Sequence, residues 1–209
     1  MAMPTDPMPR PAGAPPPTQV RLAEAAIRVI AQQGFDVVSV RTVAAESGLS
    51  AGTVQYHHPT RQDLLVAALT RSAERQAARV ETAVRADPAT SESFRRALLV
   101  ALRELLPLEG ERHEDAAAWV SFGAAASTRQ WLADLYWVVL QQMRDGVRTL
   151  LENAQAAGRL REGLNPEEAT RVVTALVNGL TLDVLNAPAP ERDRAEQALD
   201  LGLSLVLTD

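Results

Sequence analysis

Few residues in this chain could do covalent or metal chemistry, and their spacing argues against it. There is no cysteine, which removes thiolate nucleophiles, thiolate metal sites and disulfides together. Of the three histidines, His57 and His58 are neighbours and His113 stands far off. Adjacent side chains on a helix project about 100° apart, so His57 and His58 cannot close on one metal ion. Neither a glycine-rich phosphate loop nor a nucleophile elbow is expected. The acids Glu111, Glu114 and Asp115 read as a solvated helix start facing the positive end of the helix dipole. No catalytic residue, metal or cofactor is expected, and an enzyme is the weaker reading.

What remains is recognition chemistry. The run Gly52, Thr53, Gln55, Tyr56 and His57 is polar where a core helix would be apolar. A glutamine can pair with adenine through two hydrogen bonds, a threonine methyl can meet a thymine methyl, and tyrosine or histidine can bond phosphate. A helical hairpin with a polar outer face would carry the same residue types, so the surrounding elements have to decide.

Those elements read almost wholly as helix. Seven of the 13 prolines fall within residues 1–17, which predicts a flexible or extended arm. A first helix is expected from about Thr18 to Gln33, stopped by Gly34, and a short one from about Ser39 to Glu46 with Ser39 as its cap. Ser47-Gly48-Leu49-Ser50 makes a tight turn into a third helix ending near His57. Gly48 can take the left-handed backbone the turn requires, Leu49 and Val54 point inward, and Ser50 caps the helix that follows. Two short helices joined in this way are a helix-turn-helix. Longer helices are expected over about 61–85, 90–106 and 111–127, then from about Leu132 to Ala154 and from Pro166 to before Pro188. The last segment, 191–207, alternates leucines as a strand would. With no visible partner strand it reads as a helix apolar nearly all round, and therefore buried.

Composition is compatible with this. Hydrophobic residues make up 46% of 209, enough for a substantial core, and no apolar run approaches a membrane span. The N-terminal stretch is not apolar enough for a secretion signal, so a cytoplasmic protein is expected. The net charge of −5 is unevenly spread: residues 1–80 hold 8 Arg against 6 acids, and residues 81–209 hold 13 Arg against 20 acids. Binding phosphate needs a basic face rather than a basic protein, and the split permits one near the N-terminus. A helical dimer that has lost DNA binding would share these features.

The ordered series Leu22-Ala23-Glu24-Ala25-Ala26, Gly34-Phe35, Ser39-Val40-Arg41, Val43-Ala44, Ser47-Gly48-Leu49-Ser50, Gly52-Thr53-Val54, Tyr56-His57 and Arg61 to Leu64-Leu65 resembles the DNA-binding domain of the TetR family. That resemblance implies an all-α protein of about nine helices: a three-helix DNA-binding domain over residues 18–65, and a larger ligand-binding and dimerising domain over 66–209. It also implies a one-component transcriptional regulator, a repressor, that binds double-stranded operator DNA as a homodimer at an inverted repeat. By position, Gly52, Thr53, Gln55 and Tyr56 fall where bases or nearby backbone are contacted, His57 at a phosphate, and Arg41 at a base or phosphate. Arg61 takes the place of a lysine near phosphate. His58 departs from the family, which usually has an aromatic there, and Gln55 stands where a tyrosine is common.

Trp119, Phe122 and Trp131, the long helix to Gly158-Arg159-Leu160, Asn165-Pro166-Glu167-Glu168-Ala169 and Leu176-Val177-Asn178-Gly179-Leu180 resemble the BetI-like branch. This implies a small-molecule effector and a dimer interface on the last two long helices. Six of the eight aromatic residues, Phe94, Trp119, Phe122, Trp131, Tyr136 and Trp137, lie between 94 and 137 and are expected to share a pocket wall, or else to be plain core. A mostly apolar ligand would suit such a wall.

Overall fold

The computed structural model describes residues 17–208, so the proline-rich arm expected over 1–17 lies, apart from Pro17, outside the described residues. The elements in chain order are α1 (Thr18–Gln33), α2 (Val40–Ser47), α3 (Ala51–His57), α4 (Arg61–Ala86), α5 (Phe94–Arg103), α6 (Glu111–Ala126), α7 (Gln130–Ala156), α8 (Pro166–Asn186) and α9 (Ala189–Ser204), with short 3₁₀ turns at Phe35–Val37 and Pro88–Ser91. The fold is all-α, with these nine α-helices among the described residues.

Local chemistry sets the helix ends. Ser39 Oγ accepts from the Thr42 amide while Thr42 Oγ1 accepts from the Ser39 amide, so two free donors at the start of α2 are satisfied at once. Gly48, at φ 68°, ends α2 in the left-handed region. Ser50 caps α3 through the Thr53 amide, and Thr60 with Asp63 forms a second capping box at α4. Asn165 and Pro166 open α8 as a cap and a first-turn proline.

Two cores result. The first gathers Leu22, Ile27, Ile30, Phe35, Val43, Val54, Leu64 and Leu65 from the N-terminal helices. It is not confined to residues 18–65, because Ala118 and Phe122 of α6 and Leu132 of α7 belong to it. The second packs α5, the later half of α7, α8 and α9 around Leu98, Leu151, Val173, Leu199 and Leu203. At one crossing α8 and α9 come very close: a β-carbon on Gly202 would sit 2.2 Å from Leu176 Cδ2.

The C-terminal segment differs from expectation in two ways. It is not buried all round: Leu199 and Leu203 are fully buried, but Leu201 and Leu205 are each 64% exposed, since residues two apart point to opposite sides of a helix. The residues after α9 do find a strand-like partner, as Leu207 bridges Leu160 antiparallel, with Arg161 N–H on Val206 O at 2.9 Å and Thr208 N–H on Arg159 O at 2.8 Å.

Candidate nucleic-acid interface and effector cavity

Val43 of α2 and Val54 of α3 are fully buried, which turns the opposite face of α3 outward. Tyr56 is 83% exposed, and Gly52, Gln55 and Arg41 are exposed as well, with Thr53 and His57 half-buried beside them. The Tyr56 and His57 rings meet edge to face at 5.0 Å. Gly52 has an ordinary helical backbone, and a β-carbon there would meet only Ser50 Oγ at 3.7 Å. The fold does not require glycine at that position, although glycine weakens a helix by about 1 kcal/mol relative to alanine.

The underside of α3 rests on His58, which is buried, with its Nε2 unpartnered. Burial holds the His58 pKa below its ordinary value; His57 pushes the same way, and Asp63 opposes. Arg61 is folded inward. Its Nε donates to Val38 O at 3.0 Å and its Nη2 to Phe35 O at 2.9 Å, and the guanidinium lies 5.1 Å from the Phe35 ring centroid. Arg129, from the turn before α7, covers Phe35 too, at 5.4 Å, and reaches Asp36 at 3.2 Å.

The acids at the start of α6 are not all solvated. Asp115 is buried and accepts from Arg75 at 2.6 Å and from Arg79 at 2.7 Å, with Glu114 and Glu111 completing the cluster on Arg75. Burial works against the Arg75 charge, and the Asp115 hydrogen bond and surrounding carboxylates overcome it, raising its pKa above the ordinary value. A carboxylate one turn into a helix points toward whatever packs there, and here that is α4.

Between α4, α5, α6, α7 and α8 lies a cavity of about 640 Å³. Its walls are mainly aliphatic, with Leu69, Val80, Leu102, Met143, Leu150 and Val177 among them, and Trp119 is the one aromatic lining it. Trp119 stacks on Tyr136 at 4.2 Å, and its indole N–H donates to Asn178 Oδ1 at 3.0 Å, joining α6 to α8. Gly123 makes room for the phenol, since a β-carbon there would lie 3.1 Å from Tyr136 Oη, and burial pushes the Tyr136 pKa up to about 12. Glu81 and Arg85, an ion pair on α4, are the only charged residues lining the cavity.

Residues 22–68 match the family described as bacterial regulatory proteins, tetR family, and residues 94–208 match the BetI-type transcriptional repressor C-terminal domain. The chain belongs to the TetR family. It is a transcriptional regulator and not an enzyme, in a family that binds operator DNA and small-molecule ligands. Over 180 residues it is 26% identical to the HTH-type transcriptional regulator PksA of Bacillus subtilis, covering 86% of this chain and 84% of PksA. A transcriptional regulator from Rhodococcus is similar in structure, with a TM-score of 0.76, 30% identity, and coverage of 90% of this chain and 95% of that one. A regulator from Saccharomonospora viridis, solved in complex with choline, has the same fold at a TM-score of 0.79 and 23% identity, covering 91% and 98% of the two chains.

For this TetR regulator the expected DNA-contacting residues gather on one face, except that Arg61 is occupied with the carbonyls of Phe35 and Val38. The expected aromatic wall does not form as such. Trp119 alone of the six lines the cavity; Phe122 is buried in the first core, Tyr136 backs Trp119, and Trp137 is exposed under Arg144. Phe94 packs against the second core and Trp131 against the first. The other cavity residues are mostly aliphatic, with Ser72, Gln76, Gln142, Asn178 and Thr181 polar among them. The signals for them were a glycine, Gly146, in the apolar stripe of α7 and one amide between Val177 and Leu180 on α8. Against the expectation of no nucleophile elbow, Gly48-x-Ser50-x-Gly52 has that motif's spacing. A helix rather than a strand precedes it, and Ser50 Oγ bonds the Thr53 amide and hydroxyl.

Proposed function

We propose that this TetR regulator is a repressor that grips an inverted-repeat operator as a homodimer and lets go when a mostly apolar effector enters the cavity. The observation that carries the DNA reading is the outer face of α3. It offers Gln55 and Tyr56 to solvent beside a glycine that its own fold leaves unexplained, and close approach of a DNA backbone would explain that glycine. Thr53 and Gln55 then read base edges, while Tyr56, His57 and Arg41 hold phosphate and orient α3 in the major groove. Arg61 acts there mainly by fixing the turn before α2, with its Nη1 edge left for phosphate.

The dimer reading rests on apolar residues that water should not meet: Val172 and Leu182 on α8, Leu201 on α9 and Leu205 just beyond it are all exposed. Pairing this face with its own copy buries it and sets two α3 helices on one side of a duplex. Release is carried by α6, whose Trp119 borders the cavity and whose Phe122 packs in the core of the DNA-binding helices. The choline held by the Saccharomonospora viridis protein is a poor guide to the effector here. Quaternary ammonium recognition uses several aromatic faces, and this cavity offers one. Selecting bound duplexes from a random pool tests the operator reading. It predicts recovery of an inverted repeat; recovery of no preferred sequence, with salt-dependent binding alone, would leave the chain without an operator.

A further inference from the structure

Asn178 narrows what the cavity accepts. Indole N–H can only donate, so the Trp119 bond at 3.0 Å fixes which end of the Asn178 amide faces it: the oxygen. The amide NH₂ is left bordering the cavity, with no acceptor among the described residues. A half-buried donor held in a fixed direction is a ready-made partner for an oxygen on a ligand.

Charge is treated differently. Glu81 and Arg85, the only charged lining residues among those described, are both largely exposed and pair with each other in solvent, so no charge is held inside the cavity. A ligand anion or cation would leave water without gaining a free counter-charge. One face of Trp119 is already covered by Tyr136, which leaves no cage for an ammonium group.

We infer that the effector is an uncharged, mainly aliphatic or alicyclic molecule with a carbonyl or ether oxygen, and that the Asn178 amide N–H receives this oxygen and selects for it. The inference rests on reading the cavity as the effector site. Asn178 would then be a specificity-determining residue on α8.

Three dyes on the full-length protein provide the test: 6-propionyl-2-(dimethylamino)naphthalene, an uncharged ketone whose emission moves to the blue when its carbonyl loses a hydrogen bond; its carbonyl-free parent 6-propyl-2-(dimethylamino)naphthalene, in which a methylene replaces the carbonyl; and the anion 1-anilinonaphthalene-8-sulfonate. The ketone should bind wild type about fivefold more tightly than its carbonyl-free parent, the scale of one hydrogen bond, and about tenfold more tightly than the sulfonate. Asn178→Leu should erase the advantage over the parent and shift the bound ketone further to the blue. Gly146 borders the cavity, and a β-carbon there meets nothing within 4 Å, so Gly146→Phe should intrude on the cavity and weaken ketone binding at least about tenfold. A sulfonate that binds wild type more tightly than the ketone, or a parent that binds wild type as well as the ketone, overturns the inference with no variant needed. Ketone binding untouched by Gly146→Phe overturns the cavity reading itself.

Discussion

Phe122 meets Phe35 edge to face, with ring centroids 5.4 Å apart and planes at 82°, three residues along α6 from the Trp119 ring that borders the cavity. One helix therefore touches both the effector space and the loop ahead of the DNA-binding pair. Phe122→Leu keeps the site apolar and should cost about 1 kcal/mol in chemical denaturation. Operator affinity should hold while the drop in affinity caused by a cavity ligand shrinks. An unchanged drop would mean that the signal leaves the cavity by another path, with α4 the next to examine.

Acid should loosen the DNA-binding helices through His58. Its folded pKa lies below the unfolded value of about 6.5, so the unfolded chain takes up the proton first. Stability is then full above about pH 6.5 and falls as pH drops through that value toward the folded pKa. Asp63, also held below its ordinary value, chiefly by its hydrogen bonds from Thr60, adds a loss only at still lower pH. Thermal melts from pH 7.5 to 5.5 should show the decline in wild type, and His58→Phe should flatten it.

Two arginines near α3 should behave differently. Arg41→Ala removes an exposed charge and should weaken all DNA sequences alike, lowering the salt slope by about one. Arg61→Ala should in addition lower the melting temperature, because it frees the carbonyls of Phe35 and Val38. Gln55→Ala should relax preference at one base position at a cost of about 1–3 kcal/mol. Operator titrations at several salt concentrations, with melts alongside, separate the three effects.

Asp115→Ala should be among the most disruptive single changes in the body, at about 3–5 kcal/mol, because it leaves Arg75 and Arg79 with their closest carboxylate gone. Urea unfolding measures this directly. A loss below about 1 kcal/mol would mean that Glu111 and Glu114 swing in to replace it.

Leu201 and Leu203 give opposite outcomes from the same substitution. Leu201→Glu places a charge on an exposed face and should give folded monomers with weak operator binding. Leu203→Glu buries a carboxylate in the second core and should unfold or aggregate the chain. Sedimentation together with circular dichroism distinguishes them; dimers that survive Leu201→Glu would move the interface elsewhere.

The elements were legible because their ends are written in local chemistry: Ser39, Gly48, Ser50 and Asn165 each act where their side chains or backbone freedom allow. The exposed face of α3 was legible for the same reason, since buried Val43 and Val54 fix which way the rest must point. The cavity was not. Aromatic residues carry the strongest sequence signal for a pocket, but Phe122 and Trp131 are drawn into a core by partners distant in sequence, while aliphatic residues from five helices leave a void that no single helix announces. Asp115 misled in the same way, as its partners Arg75 and Arg79 lie 40 and 36 residues away. The leucine alternation after Leu199 hid its bridge to Leu160 because the partner segment is too short to read as a strand.

Gly202 matters for a reason that reaches beyond its own neighbours. A β-carbon at Gly202 would stand 2.2 Å from Leu176 Cδ2, the movable end of that side chain, so a methyl group there requires Leu176 to turn aside. A side chain larger than a methyl group would need more room than a turn of Leu176 supplies, and would press on the two helices that carry Val172, Leu182 and Leu201. If α8 and α9 form the proposed dimer face, a bulky residue at position 202 should weaken self-association, while Gly202→Ala, relieved by a turn of Leu176, should leave it intact.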